Sequence, residues 1–211
     1  MPPLIRGLDP DTVRANLAEV QAEVGDGVQV LAATKYVALE EVGVLKAAGV
    51  TLCGENRAQD LVAKQQAHPE LTWDFIGQLQ SRKVKQILPL VRYVHSVASD
   101  SVLEQLARHG TPATQVLVQV NIAREAGKAG VDPDELPAFL ERCPVTVVGL
   151  MTMPPLAQRP QDSARWFAAL RELAQRHGLR ELSMGTTQDY AVAAAEGATI
   201  VRVGSRLYNR R

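Results

Sequence analysis

The 211-residue sequence is poor in several residue types and patterns, and each shortage excludes a class of protein. Its only two cysteines, Cys53 and Cys143, lie far apart, so neither a disulfide framework nor a cysteine-rich zinc site is expected. The longest stretch without a charged residue, Cys143–Gln158, contains three prolines. A membrane-spanning helix needs about 20 consecutive apolar residues, so we expect no membrane span.

An excess of charge of either sign is also missing, because 23 lysines and arginines balance 23 aspartates and glutamates. Surfaces that bind nucleic acid or anionic membranes usually carry a basic excess, so neither partner is expected. The N-terminal residues lack the basic, apolar and small-residue order of a secretory leader. With 46% hydrophobic and 22% charged residues, the composition predicts a globular, cytoplasmic protein.

Short apolar segments alternate with longer amphipathic segments along the whole chain. Several apolar segments are nearly continuous hydrophobic runs, which is typical of parallel strands covered on both faces. The amphipathic segments carry apolar residues at three-to-four spacing and predict helices, among them helices over residues 81–90 and 133–142. An additional helix is predicted after Asp9-Pro10, before the first strand. The predicted strands are Val28–Thr34, Thr51–Glu55, Thr72–Gly77, Tyr93–Val97, Gln115–Asn121, Val145–Thr152, Glu181–Gly185 and Thr199–Gly204.

Eight strand–helix units are compatible with a closed (β/α)8 barrel or with a doubly wound open sheet. A count of eight favours the barrel. The open-sheet alternative requires a G-x-G-x-x-G turn after the first strand, where this chain has Thr34-Lys35-Tyr36. We therefore predict an α/β fold, a single TIM-type barrel domain over residues 1–211. The barrel proper spans about residues 28–208 and an extra N-terminal helix precedes it.

Lys35 directly follows the first apolar strand, in a chain with only six lysines against 17 arginines. One interpretation is a lysine that extends from a strand end into solvent. The other is a desolvated amine with a lowered pKa that forms a Schiff base with an aldehyde. The scarcity of lysine favours the second interpretation, as does the strand end, where such barrels carry their sites.

Glycine and hydroxyl residues cluster in the last two strand–helix connections, in S-M-G-T-T-Q-D at 183–189 and V-R-V-G-S at 201–205. Gly185 and Gly204 allow close approach of the backbone, and Thr187 and Ser205 offer hydroxyl groups near helix starts. Phosphate sites after the seventh and eighth strands recur in this barrel. Ordinary turn and N-cap chemistry selects the same residue types, but in a barrel of this kind the phosphate interpretation is favoured.

Arg202 stands between two valines inside the eighth predicted strand, where a charge is unusual. A buried guanidinium group needs a partner, and an acceptor nitrogen of a ligand ring is one possibility.

Other polar residues are weaker candidates. Asp74, Glu55 and Asp189 are candidate general bases, although carboxylates at strand and helix ends are commonly solvated. The four histidines show no metal-ligand spacing, and His95 is more typical of a hydrogen-bonded core residue. The basic run at residues 82–85 is typical of a solvated helix face.

A series of motifs in fixed order carries a specific resemblance. They are A-A-T-K-Y at 32–36, C-G-E-N-R at 53–57, F-I-G-Q-L-Q at 75–80, H-S-V at 95–97, V-N-I-A-R-E-A-G-K-A-G at 120–130, G-L-M-T-M at 149–153, L-S-M-G-T-T-Q-D at 182–189 and V-R-V-G at 201–204. Together they resemble the pyridoxal phosphate homeostasis proteins, single-domain relatives of the alanine racemase barrel. The resemblance covers about residues 28–208, and it is the joint occurrence of the motifs that makes it specific.

The resemblance implies a barrel that binds pyridoxal 5′-phosphate (PLP) covalently, with Lys35 as the Schiff-base lysine. Thr187, Gly204 and Ser205 correspond to the phosphate-binding positions. Arg202 corresponds to the arginine that meets the pyridine nitrogen, and Asn56 lies in the G-E-N motif beside the cofactor. No metal ligand and no catalytic residue follow from the resemblance.

The chain departs from the family pattern in several places. Asp74 stands where a histidine commonly precedes F-I-G, and it brings a carboxylate towards a phosphate-bearing site. Arg82 replaces an asparagine, and Thr186-Thr187 replaces Met-Ser while keeping the hydroxyl group. Leu207-Tyr208-Asn209 replaces the usual Ile-Phe-Gly.

The resemblance implies a PLP-holding protein that passes the cofactor to PLP-dependent apoenzymes and influences amino-acid and keto-acid balance, without firm turnover. An arginine at the pyridine nitrogen leaves that nitrogen unprotonated and the ring a weaker electron sink. Racemisation would need a second acid or base opposite Lys35, which related racemases obtain with the help of a second domain. We expect a monomeric carrier. The alternatives are a slow PLP-dependent amino-acid racemase and a non-PLP phosphate-binding barrel enzyme using Lys35.

Overall fold

The computed structural model describes residues 3–209, in which eight parallel strands form a closed barrel. Each strand pairs with the next strand in sequence, and β8 pairs with β1 to close the barrel. The prediction of a (β/α)8 barrel is therefore confirmed, and no strand boundary differs from the prediction by more than two residues. The strands are β1 (Gln29–Ala33), β2 (Leu52–Glu55), β3 (Thr72–Phe75), β4 (Tyr93–Val97), β5 (Gln115–Gln119), β6 (Thr146–Met151), β7 (Glu181–Thr186) and β8 (Ile200–Val203).

Helices surround the barrel and fill the connections between its strands. None of those in residues 3–209 combines the length and apolarity that crossing a membrane requires. The α-helices are α1 (Pro10–Val24), α2 (Val42–Ala47), α3 (Ala58–Ala67), α4 (Val84–Ile87), α5 (Asp100–His109), α6 (Leu136–Glu141), α7 (Ala164–Arg176), α8 (Tyr190–Ala195) and α9 (Ser205–Tyr208).

Two predicted helices are shorter than their sequence patterns indicated. The helix predicted over 133–142 begins only at Leu136, because Asp132 accepts hydrogen bonds from the amides of Asp134 and Glu135 and forms a turn. The helix predicted over 81–90 is divided into a 3-10 turn, α4 and a second 3-10 turn that contains Pro89. Proline lacks the amide hydrogen that a continuous helix would use there.

The predicted N-terminal helix is present as α1 and begins as its sequence indicates. The Asp9 carboxylate accepts a hydrogen bond from the Thr12 amide at 3.0 Å, and Pro10 occupies the first helical turn. The buried face of α1 consists mainly of valine and leucine at helical spacing. Asn16 on the same face donates to the Leu207 carbonyl in α9 at 3.1 Å, so both ends of the chain pack together.

The apolar core has two parts, one on each side of the barrel wall. The larger part lies between the strands and the surrounding helices. The smaller part consists of Leu31, Leu52 and Ile200, which face the barrel interior. Side chains alternate between the two sides along each strand, so the interior also receives the polar residues described below.

Candidate functional site

The six site residues predicted from the sequence lie in one sector of the barrel. Lys35 and Asn56 follow β1 and β2, Thr187 follows β7, Arg202 lies within β8 and Gly204-Ser205 follows it. Because β7, β8, β1 and β2 are consecutive around the closed barrel, their carboxyl ends are neighbours. The amide of Gly204 donates a hydrogen bond to Thr187 Oγ1 at 2.9 Å, which joins two of these ends directly.

Lys35 is exposed at the end of β1, and its Nζ atom lies 5.0 Å from the centroid of the Tyr36 ring. The neighbouring Thr34 is fully buried, so the strand holds the backbone while the lysine side chain projects into solvent. The amine is accessible to a ligand that enters the barrel mouth.

A buried ion pair behind the barrel wall holds the segments that carry Lys35 and Asn56. Lys64 of α3 donates to Glu55 Oε1 at 2.6 Å and to the Thr34 carbonyl at 2.8 Å. Glu55 also accepts hydrogen bonds from Thr34 Oγ1 at 3.0 Å and from the Asn56 amide at 2.8 Å. This pair links the two residues adjacent to the predicted ligand-binding positions.

Glu55 is therefore a structural residue and not a general base, because it is completely buried and fully engaged with Lys64 and Thr34. Sequence analysis missed Lys64. Its position three residues after the buried Leu61, on the inner face of a predicted helix, was the available indication.

The turn after β7 depends on a glycine and an aspartate. Gly185 has a φ of +86°, and a Cβ atom there would lie 2.5 Å from the Ala193 Cβ atom, so only glycine fits. Asp189 accepts hydrogen bonds from the Thr186 amide at 2.8 Å and from the Thr186 hydroxyl at 3.2 Å. Asp189 thus organises the turn that presents Thr187, which leaves little support for its role as a base.

Arg202 is buried in the barrel interior close to the mouth. Its guanidinium group donates to the Thr152 carbonyl at 2.9 Å, to Met153 Sδ at 3.0 Å and to the Ser183 hydroxyl. Burial lowers the pKa of Arg202 from 12.5 to about 10, against an opposing effect of Asp189. The group therefore remains protonated at neutral pH.

A chain of hydrogen bonds continues from Arg202 through the barrel interior. Because Arg202 donates to Ser183 Oγ, the Ser183 hydroxyl can donate to His95 Nδ1 at 2.8 Å. His95 Nε2 then donates to Asp74 Oδ2 at 3.0 Å. The prediction that His95 is a hydrogen-bonded core residue is confirmed, and burial lowers the pKa of this histidine.

Asp74 ends this chain of hydrogen bonds, within β3. Arg92 donates to both Asp74 carboxylate oxygens, at 2.6 and 3.1 Å, and also to Gln29 in the first position of β1. The pKa of Asp74 is lowered by hydrogen bonds from His95 and Arg92, which outweigh the raising effect of burial. The Asp74 charge is therefore compensated by Arg92, and its effect on a phosphate-bearing site stays a prediction.

The four tyrosines differ in their positions relative to the mouth. The Tyr208 hydroxyl donates to the Ala33 carbonyl at 3.1 Å, and the Tyr190 hydroxyl donates to Glu23 at 2.6 Å. Tyr93 begins β4 at the amino end of the barrel. Tyr36 follows Lys35 directly in the chain, and its ring lies against the Lys35 amine.

Asn56 provides an observation that bears directly on ligand binding. Its side-chain oxygen Oδ1 is buried and has no hydrogen-bond partner among residues 3–209. An unsatisfied buried acceptor is costly and commonly marks a position where a ligand or water molecule donates. The barrel mouth therefore combines the Asn56 acceptor, the exposed Lys35 amine and the Thr187–Gly204 pair. These groups suit a ligand that carries both a hydrogen-bond donor and an anionic group.

Comparison with known proteins places this site in a family. Residues 8–211 match the model of the alanine racemase N-terminal domain. The chain is 37% identical over 198 residues to the pyridoxal phosphate homeostasis protein of Aquifex aeolicus, covering 87% of each chain. It is 38% identical over 207 residues to the protein of the same name from Deinococcus radiodurans, covering 93% of this chain and 97% of that protein.

Solved structures agree with these sequence comparisons. The structure of PipY of Synechococcus elongatus PCC7942 with PLP bound has a TM-score of 0.81 and 33% identity, covering 93% of this chain and all of that chain. Alanine racemase of Clostridium difficile 630 shares the fold, with a TM-score of 0.75 at 14% identity over 97% of this chain and 58% of that chain. With its closed eight-stranded barrel and these relatives, the chain belongs to the pyridoxal phosphate homeostasis protein family, within the alanine racemase N-terminal domain superfamily.

Proposed function

We propose that this protein binds PLP at the barrel mouth, holds it as a Schiff base on Lys35 and passes it to PLP-dependent apoenzymes in the cytoplasm. The observation that carries the proposal is the convergence of Lys35, Asn56, Thr187 and Gly204 at the ends of four consecutive strands. The PLP-bound PipY structure, at 33% identity, supports the choice of ligand. Both cysteines are unpaired thiols, which is compatible with a reducing compartment.

Lys35 has the chemistry and the exposure that covalent capture needs. PLP supplies an aldehyde that reacts with a primary amine. The Lys35 amine forms a carbon–nitrogen double bond with that aldehyde carbon, and one water molecule is released. The buried Glu55–Lys64 pair fixes the Thr34 carbonyl, so the backbone before Lys35 is held while its side chain moves.

The turns after β7 and β8 offer a cradle for the phosphate group. Thr187 contributes a hydroxyl group, and the Gly204 amide, now donating to Thr187 Oγ1 at 2.9 Å, contributes a backbone donor. Ser205 lies beside Gly204, exposed, and adds a second hydroxyl group. Backbone amides and hydroxyl groups at a turn are the usual partners of a phosphate ester.

Arg202 favours storage of the cofactor over catalysis. Its guanidinium group stays protonated at neutral pH, so it donates a hydrogen bond to the pyridine nitrogen and leaves that nitrogen without a proton. An unprotonated ring withdraws electrons less strongly from a bound amino acid. The hydrogen bonds that Arg202 donates to the Ser183 hydroxyl and the Thr152 carbonyl hold it in this orientation.

The racemase alternative lacks support from the side chains at the mouth. Racemisation needs an acid or base on the face of the ring opposite Lys35. Tyr208 and Tyr190 are engaged with the Ala33 carbonyl and Glu23, and Tyr93 lies at the other end of the barrel. We therefore propose a carrier and not an enzyme.

A monomer suits the carrier role. In residues 3–209, large apolar side chains are exposed at only four positions, too few for the apolar core of a permanent dimer. These positions are Leu4, Leu39, Met153 and Leu156.

The test compares the visible absorption spectra of the wild type, Lys35→Ala and Lys85→Ala after incubation with PLP. We expect an absorption band of the covalent adduct in the wild type and in Lys85→Ala, whose lysine is exposed on α4 away from the mouth. The band should be absent in Lys35→Ala. Borohydride reduction followed by peptide mapping should place the label on Lys35.

Three outcomes would contradict parts of the proposal. Colourless wild-type protein would exclude PLP and favour a phosphate-binding barrel enzyme that uses Lys35. A label on another lysine would remove Lys35 from its role. Steady amino-acid racemisation that depends on Lys35, together with failure to activate a PLP-dependent apoenzyme, would favour the racemase over the carrier.

A further inference from the structure

A second cavity, of about 540 Å³, lies beside the mouth between the connections that follow β2 and β3. Three cationic side chains and four amide side chains line it. The cations are Arg57, Arg82 and Lys83, and the amides are Asn56, Gln59, Gln78 and Gln80. The cavity is lined by parts of two motifs, C-G-E-N-R and F-I-G-Q-L-Q, and of these lining residues only Asn56 has a role in the function proposed above.

The charged side chains that line this cavity are all cationic, and no aspartate or glutamate lines it. Arg57 forms an ion pair with Asp60 at 4.0 Å. Among residues 3–209, neither Arg82 nor Lys83 has a carboxylate within salt-bridge distance, and the Arg82 guanidinium group donates to Gln80 at 3.2 Å. In a chain with a net charge of zero, this concentration of cations creates a local positive potential.

The basic run at 82–85 was interpreted from sequence as a solvated helix face, and the structure divides it. Arg82 and Lys83 lie in the 3-10 turn Ser81–Lys83 and line the cavity. Lys85 lies in α4, is exposed and does not line it. The tertiary structure thus brings two of the three charges of the run together with Arg57, which is 25 residues away in sequence.

We propose that this cavity is a binding site for a small organic phosphate, separate from the predicted cofactor position. A phosphate dianion can engage more than one guanidinium or ammonium group at once, and arginine presents paired donors that match its oxygens. The cavity volume lies within the range of about 300–1,000 Å³ that is typical of sites for small organic molecules. The three glutamine amides can form hydrogen bonds with the rest of the ligand, so we expect a ligand whose organic part is polar and not apolar.

Asn56 connects the two sites. It lines the cavity and follows β2 at the mouth, and its unpartnered Oδ1 atom accepts a hydrogen bond from a hydroxyl group of a ligand in either position. A phosphate ester bound in the cavity would therefore lie next to the cofactor. The inference does not depend on the proposed function, because Arg57, Arg82 and Lys83 are not among the residues that we expect to hold PLP.

The experiment titrates glycerol 3-phosphate into PLP-saturated protein by isothermal titration calorimetry. Saturation occupies the phosphate position between β7 and β8, so binding that persists belongs to another site. We expect Arg82→Gln and Lys83→Gln each to weaken binding about tenfold, because each removes one charged hydrogen-bond donor. Lys85→Gln, which makes the same charge change outside the cavity, should leave the affinity within twofold.

Further titrations define the ligand. Glycerate has a carboxylate in place of the phosphate, and equal binding of glycerate would overturn the phosphate assignment. Titration with inorganic phosphate tests whether the ligand is a phosphate ester or free phosphate. Weaker binding of inorganic phosphate than of glycerol 3-phosphate supports an organic phosphate. Equal binding supports free phosphate in the same site. Binding should also weaken as sodium chloride is raised.

Two results would overturn the proposal. One is the absence of glycerol 3-phosphate binding to the wild-type protein, and the other is an equal loss of affinity in Lys85→Gln and Lys83→Gln. Should PLP itself fail to bind, the same titration in Thr187→Val separates the two sites. Binding that persists in that variant, and that still depends on Arg82, would support the cavity even though the cofactor proposal had failed.

Discussion

Lys64 and Lys46 each form an ion pair with a glutamate, but their surroundings are opposite. Lys64 and Glu55 are 2.6 Å apart with 5% and 0% of their side chains exposed. Lys46 and Glu70 are 2.9 Å apart with 55% and 37% exposed. Water screens the second pair and not the first, so the same substitution has a different cost at the two positions.

We predict that Lys64→Met lowers the free energy of unfolding by about 3–5 kcal/mol, because Glu55 then remains buried without a partner. The matched change Lys46→Met should cost less than about 1 kcal/mol. Urea denaturation followed by circular dichroism measures both. Equal losses in the two variants would show that the buried pair does not hold the β1 and β2 ends.

At the scale of elements, the turn after β7 and the turn after α7 each contain a glycine with a left-handed backbone, but they differ in their tolerance of a side chain. Gly185 combines a left-handed backbone with a neighbouring Ala193 Cβ atom only 2.5 Å from the position of an added Cβ atom. Gly178, after α7, has a φ of +65° but open space around that position. Comparing alanine substitutions at Gly185 and Gly178 therefore separates the cost of backbone strain from the cost of a steric clash with neighbouring atoms.

We predict that Gly185→Ala lowers the free energy of unfolding by roughly 2–5 kcal/mol, since it adds overpacking to left-handed strain. Gly178→Ala should cost about 1–2 kcal/mol from strain alone. Because Gly185 precedes Thr187, the first substitution should also weaken PLP binding, whereas the second should not. A smaller loss in Gly185→Ala than in Gly178→Ala, measured by thermal denaturation, would refute this account.

At the scale of the whole molecule, one hydrogen-bonded chain runs across the barrel interior. It runs from Arg92 through Asp74, His95 and Ser183 to Arg202, and so links β3, β4, β7 and β8. His95 is completely buried within it, and burial lowers its pKa from the usual 6.5. The folded protein therefore holds this histidine neutral at a pH at which the unfolded chain binds a proton.

The sign of the pH dependence follows from this difference. Stability rises with pH wherever the unfolded state binds more protons, so the His95 contribution is present above about pH 6.5 and is lost as the pH falls below that value. Asp74, whose pKa is also lowered, adds a further loss at more acidic pH, below about 4.

We predict that the free energy of unfolding falls between pH 7 and pH 5 with a slope of up to about 1.4 kcal/mol per pH unit from His95. His95→Gln should flatten this slope, whatever its effect on absolute stability. His109→Gln, at the end of α5, should leave the slope unchanged. Urea denaturation at a series of pH values measures the slope directly, and a wild-type slope that survives in His95→Gln would exclude this histidine as the source.

The barrel itself was predictable from the sequence, because the patterns that indicate its strands and helices each lie within a short segment of the chain. Eight apolar segments at regular intervals and the absence of a G-x-G-x-x-G turn after β1 sufficed for the fold. Lys35, Asn56 and Gly204 were identifiable because the carboxyl ends of parallel strands meet at one mouth. Predictions from local sequence patterns were inexact only at helix boundaries. The turn at Asp132 makes α6 begin later than predicted, and Pro89 interrupts the helix predicted over residues 81–90 after α4.

The partners of buried polar side chains were decided by the closed barrel. Ser183 and His95 are 88 residues apart, and Lys64 reaches a carbonyl 30 residues away, so no local pattern connects them. Asp74 meets Arg92, 18 residues away, and His95, 21 residues away, because pairing between neighbouring strands brings these side chains together. Periodicity along the chain is enough to specify strands and helices, whereas pairing across the barrel depends on where closure places each side chain.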